Sequence, residues 1–138
     1  RGNTSNMVVI GTGSVVASFS GSATGWTFSS DGRDKTDIVD LSLGLDFINK
    51  LKPRKFRWDY RDKTRYSKES FENPDMLIRS GFIAQEIQAV LDEENAHYTK
   101  IVGDDNPDLL TVGMTGMIPM LVNAIKELSA KVATLEAA

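Results

Sequence analysis

A hydroxyl and an amine stand five residues apart in the run Ser29-Ser30-Asp31-Gly32-Arg33-Asp34-Lys35, at Ser30 and Lys35. A lysine whose proton affinity is lowered by desolvation can take the hydroxyl proton, and the resulting alkoxide attacks a carbonyl. Such a pair suffices for acyl transfer without any histidine. The spacing alone is weak, because a turn serine followed by a solvated lysine reads the same way. Three other groupings carry less. The cationic run Lys50, Lys52, Arg54, Lys55, Arg57, Arg61, Lys63, Arg65, Lys68 is interleaved with Phe56, Trp58, Tyr60 and Tyr66, a pattern shared with nucleic-acid binders. Its alternation makes Arg57 and Asp59 the wet side of a strand, and an acidic whole repels phosphate, so no nucleic-acid partner is expected. His97 has no carboxylate or second histidine at ligand spacing and reads as a surface or satisfied histidine. Asp104-Asp105-Asn106 lacks the calcium-loop pattern with its terminal Glu and reads as a plain turn.

Composition narrows the field further. The chain has 138 residues, net charge -3 and no cysteine, which excludes disulfide scaffolds, zinc knuckles and thiol nucleophiles. With one histidine besides, neither a metal nor another cofactor is expected. No stretch approaches the roughly 20 apolar residues of a membrane helix, so no membrane partner is expected either. The first residue is Arg1 rather than Met, and further sequence upstream is expected.

A composition break divides the chain near Ser29 and Ser30. Residues 1–29 hold a single charge, Arg1; all the other basic residues and all 19 acidic ones follow from Asp31 onward. In the uncharged part, Met7–Ile10, Val15–Phe19 and Trp26–Phe28 are β-prone runs, the first two separated by Gly11-Thr12-Gly13-Ser14. Thirty such residues cannot close a core alone. They read as the tail of a β-rich fibre or as a linker.

The second part, residues 30–138, reads as a small α+β domain with short strands, two core helices and a long C-terminal helix. Leu41, Leu45, Ile48 and Leu51 recur at helical spacing behind Asp40 or Ser42 as a cap, giving a helix over roughly 41–51 that Pro53 stops. Phe56, Trp58 and Tyr60 predict a strand with one aromatic face, and residues 61–75 a loop. Ile83, Ile87, Val90 and Leu91 predict a second helix within 81–93. Tyr98–Val102 and Leu109–Val112 predict a hairpin around Gly103–Pro107. Finally Ile118, Leu121, Ile125, Leu128, Val132 and Leu135 follow the 3,4 spacing of a heptad seam in a helix over about 115–136, with Pro119 in its first turn. This is a coiled-coil seam or the buried face of an ordinary amphipathic helix. β-Branched residues at a with Leu at d lean toward two strands.

Taken together, these residues resemble a known family. Ser30-Asp31-Gly32-Arg33-Asp34-Lys35-Thr36-Asp37-Ile38 looks like the S-D-x-R-x-K-x-x-I opening of the C-terminal intramolecular chaperone, or auto-processing, domain of phage endosialidases, tailspikes and tail fibres. The same domain occurs in a eukaryotic membrane-tethered transcription factor. Leu51-Lys52-Pro53 leading into Phe56-Arg57-Trp58, then Gly81-Phe82-Ile83-Ala84-Gln85-Glu86-Ile87, then Ala124-Ile125-Lys126-Glu127-Leu128 follow in order, over about residues 31–138. Asp34 departs from the hydrophobic residue common at its position, and a carboxylate beside Lys35 favours the protonated amine.

The resemblance implies an intertwined homotrimer preceded by a β-rich fibre tail over 1–29. It implies Ser30 as nucleophile, Lys35 as its base and Ser29–Ser30 as the bond cut. On this reading the domain registers the upstream segment of its own chain, raising the local concentration of three copies to roughly millimolar, and then releases itself by a single cut. Folding takes place in the host cytoplasm during virion assembly, and the upstream product stays in the tail fibre. Two alternatives stand beside it: a non-catalytic oligomerisation module in which Ser30 is inert, and the auto-releasing domain of a membrane-tethered regulator.

Overall fold

The computed structural model describes residues 7–12, 15–20, 27–67, 69 and 72–138. Arg1, Gly13, Ser14, Trp26 and Lys68, which entered the sequence reading, lie outside the described residues. The chain forms two compact units, Arg1–Asp40 and Leu41–Ala138.

In the first unit the β-prone runs form an antiparallel sheet of β1 (Met7–Thr12), β2 (Val15–Ser20) and β3 (Thr27–Phe28), in that order. Met7 lies opposite Ser20, and Ala17 opposite Phe28. Beyond β3 comes a 3-10 turn, Gly32–Asp34, and then irregular chain that bends at Asp37, φ 52°.

The second unit is α+β, built around three helices and two short strand pairs. α1 is Leu45–Lys50, α2 is Ala84–Glu93 and α3 is Ile118–Glu136. β4 (Arg54–Arg57) pairs antiparallel with β5 (Ile78–Gly81), and β6 (Val102–Gly103) with β7 (Thr111–Val112). One apolar core joins these elements. Phe47 from α1, Ile87, Val90 and Leu91 from α2, Ile101 and Val102 before and in β6, and Met117 and Met120 at the start of α3 are all buried, with Leu43 beside them. The 3,4 spacing of Ile87, Val90 and Leu91 is what gives α2 its buried stripe.

Several expected elements differ in extent. α1 begins at Leu45 rather than near Leu41, and neither Asp40 nor Ser42 caps it; Gly44 stands at the cap position. The cause is α3. Asn123 Nδ2 donates to the carbonyls of Leu41, at 2.8 Å, and Leu43, at 3.1 Å, and holds that stretch extended. Glu127 Oε2 then accepts the Leu45 N–H at 3.1 Å, doing the capping from 82 residues away. α1 ends at Lys50 because Pro53 biases the residue before it toward extended backbone, and Leu51 is already extended.

The aromatic strand is shorter than its alternation suggested. β4 stops at Arg57, and Trp58 and Tyr60 leave it as a ladder of rings. Phe56 meets Trp58 edge-on at 5.5 Å, Trp58 stacks on Tyr60 at 5.3 Å, and Tyr60 meets Tyr66 edge-on at 5.3 Å. The Arg65 guanidinium lies 4.7 Å from the Tyr60 ring centre, so one cation of the basic run covers an aromatic face. Tyr98 falls in a 3-10 turn, His97–Thr99, and the hairpin strands shrink to two residues each. Lys100, at φ 51°, turns the chain from there into the buried Ile101.

α3 supplies the largest difference. It packs on its own unit through Met120 and Ala124, at 3% and 4% exposure. The heptad positions Ile118, Leu121, Ile125, Leu128, Val132 and Leu135 all face outward, Ile125 at 66% and Leu135 at 76%. The seam is therefore not the face by which this helix joins its own domain.

Candidate functional site

The hydroxyl–amine pair is held by a local turn. Asp31, extended at φ -71° and ψ 131°, caps the 3-10 turn by accepting the Arg33 N–H at Oδ1, 2.9 Å away. The Asp34 N–H donates to the Asp31 carbonyl and the Lys35 N–H to the Gly32 carbonyl, each at 3.2 Å. One reversal in five residues thus turns the chain back on itself. Lys35 Nζ lies 2.6 Å from Ser30 Oγ and donates to it. Once the amine loses its proton the same contact reverses, and the hydroxyl donates to nitrogen.

A guanidinium grips the capping carboxylate. Arg33 Nε donates to Asp31 Oδ1 at 3.0 Å and to Oδ2 at 3.2 Å, and Nη2 donates to Oδ2 at 2.6 Å. This fork, with the Arg33 N–H, holds the Asp31 carboxyl down at about 2. Asp31 and Arg33 were not singled out in the sequence for this role. The signal was there in the order Asp-Gly-Arg, in which an aspartate two residues before a donor closes a turn. Ser30 and Lys35 are both exposed, so the amine is solvated in the single chain.

The other groupings fall elsewhere in the chain. His97 Nε2 lies 2.7 Å from Asp92 Oδ1, a carboxylate five residues earlier that its sequence neighbourhood did not flag. Asn106 Oδ1 accepts the Asp108 N–H at 3.0 Å, closing the acidic turn as an Asx turn. Arg54 makes a fork to Glu86, Nε to Oε2 at 2.9 Å and Nη2 to Oε1 at 2.5 Å, tying β4 to α2. The glutamate of the Gly81–Ile87 block is thus one half of this fork. Among the described residues no group of three or more His, Cys, Asp or Glu is placed to hold a metal ion, and no helix is long and apolar enough to cross a membrane.

Within the first unit, then, a local turn sets a serine hydroxyl against a lysine amine, and the second unit is a small α+β domain. Residues 30–95 match the model of a peptidase family described as chaperone of endosialidase. The match covers a little under half of the chain and supports an intramolecular chaperone role for this segment. The match opens on Ser30 and takes in Lys35, α1, β4, β5 and α2; α3 lies beyond it. No curated protein and no solved structure matches the chain.

Proposed function

We propose that the domain trimerises through α3, brings three copies of the upstream β-rich segment into register, and then cuts itself free at Ser29–Ser30. The observation that carries the cutting step is the 2.6 Å contact between Lys35 Nζ and Ser30 Oγ, at the residue where the family match begins. The neutral amine takes the Ser30 hydroxyl proton as Oγ bonds to the Ser29 carbonyl carbon. Collapse of the tetrahedral adduct breaks the C–N bond, and the lysine returns the proton to the departing Ser30 nitrogen. Water then hydrolyses the Ser29–Ser30 ester, leaving a carboxylate on Ser29 and the hydroxyl on Ser30. Each chain reacts once.

Exposure of the pair in a single chain supports a timing role for assembly. A solvated lysine stays protonated near neutral pH and is no base; desolvation by neighbouring copies favours the amine. Cutting therefore follows association. The outward Ile118–Leu135 seam supports association through α3. Three is the count the resemblance implies, while the seam's own chemistry leans to two, so the mass of the assembly is a direct check. Registering the upstream strands before they pair removes a slow, aggregation-prone search, and losing the chaperone afterwards leaves the fibre kinetically trapped. We place these steps in the host cytoplasm during virion assembly, with the upstream product kept in the tail fibre.

Mass spectrometry of freshly made protein tests the reading. Cutting at Ser29–Ser30 divides the 138 residues into 29 and 109. The wild type should give both fragments, and Ser30→Ala and Lys35→Ala should stay intact and still trimeric. An intact wild-type chain in the assembled state leaves a non-catalytic oligomerisation module.

A further inference from the structure

We propose that Asp31 and Arg33 act as a unit that positions the Ser30–Lys35 pair: Asp31 closes the turn that returns the amine to the hydroxyl, and Arg33 cancels the charge that this capping brings. The inference rests on the reading that Ser30 and Lys35 cut the chain.

The turn needs an acceptor at residue 31, because the Arg33 N–H donates to Asp31 Oδ1. A carboxylate is a strong acceptor, but it also attracts a proton to any nearby amine. Asp31 lies one residue from the nucleophile and four from the base, so an uncompensated charge there would keep Lys35 as the ammonium, the form that cannot accept the Ser30 proton. The Arg33 fork meets this charge on both carboxylate oxygens. As a support for the fold it is worth little, since the Arg33 side chain is 89% exposed. Its consequence is local and electrostatic. The charged side chains of this unit among the described residues are Asp31, Arg33, Asp34, Lys35, Asp37 and Asp40, all on one short stretch. Arg33 is the sole cation among them besides Lys35 itself, with four carboxylates to offset.

The test is the pH profile of self-cutting in the full chain, refolded from denaturant into buffers across the alkaline range and sampled with time. In the wild type the first-order rate rises as the Lys35 amine loses its proton. Arg33→Gln should move the midpoint of that rise up by about half a pH unit or more and recover the wild-type plateau at high pH. Asp31→Asn keeps an acceptor for the turn, removes the negative charge and leaves the cation, so its midpoint should move down. The double variant should return close to the wild type. Arg33→Lys keeps the charge and should stay near the wild-type midpoint. If Arg33→Gln and Asp31→Asn leave the midpoint in place and only lower the plateau, or if Arg33→Lys shifts as far as Arg33→Gln, the proposal is overturned. A wild type that never cuts, or a Lys35→Ala variant that cuts normally, overturns instead the reading beneath it.

Discussion

Glu127 occupies the space that a side chain on Gly44 would need: a Cβ there would lie 1.8 Å from Glu127 Oε1. The same carboxylate accepts the Leu45 N–H through Oε2, so one glutamate on the last helix both caps the first and requires a glycine before it. Gly44→Ala should push Glu127 off its donor and cost about 1 kcal/mol, the scale of a lost helix cap. Denaturant unfolding of Gly44→Ala, Glu127→Ala and the double variant checks this. The double should cost clearly less than the sum of the singles, because both remove the same hydrogen bond.

The two faces of α3 should separate folding from assembly. Met120→Ala opens the core of the unit and should cost about 2–5 kcal/mol. Ile125→Asp changes a residue already facing water in the single chain, and should leave single-chain stability within about 0.5 kcal/mol while lowering the assembled mass by sedimentation. A variant at Ile125 that unfolds the monomer while leaving its oligomeric mass unchanged would put the seam in the wrong place.

Lys35→Arg tests the base against the bare charge. A guanidinium keeps the cation and the reach to Ser30, yet it holds its proton at any pH a protein survives. Cutting should be abolished, with fragments absent by mass spectrometry and circular dichroism unchanged.

Acid should act through the Arg54–Glu86 fork. Arg54's hydrogen bonds and charge lower the Glu86 carboxyl below its ordinary value of 4.5, with a smaller push from Lys52. A group depressed on folding binds fewer protons in the native state. Its contribution is therefore present above about pH 4.5 and fades as the pH falls through the lower native value. Glu86→Gln should be less stable than wild type at pH 7, and the gap in denaturant midpoint should close as the solution is taken well below pH 4. A gap that stays constant with pH would mean that the fork's charge contributes nothing.

Local patterns on the sequence led to most elements because they act over a few residues. The 3,4 spacing of Ile87, Val90 and Leu91 marked α2, Pro53 marked the end of α1, and the turn residues from Gly103 to Pro107 marked the hairpin. The pairing of His97 with Asp92, the ring ladder from Phe56 to Tyr66 and the start of α1 were harder, for one reason. Each depends on a partner outside the repeating pattern: a carboxylate at the end of a helix, a tyrosine beyond a strand, an asparagine and a glutamate on a distant helix.

The contact between Ser30 and Lys35 is local to the chain, as is the composition break beside it, since the reversal between them is closed by the capping aspartate within the same run. Which stripe of α3 enters the core is not local. That helix carries two apolar stripes, Met120 with Ala124 and the run from Ile118 to Leu135, and periodicity is silent about the choice. Only the folded surface decides it, because the side chain of Asn123 reaches the Leu41 and Leu43 carbonyls from one helix orientation and leaves the other stripe to the solvent.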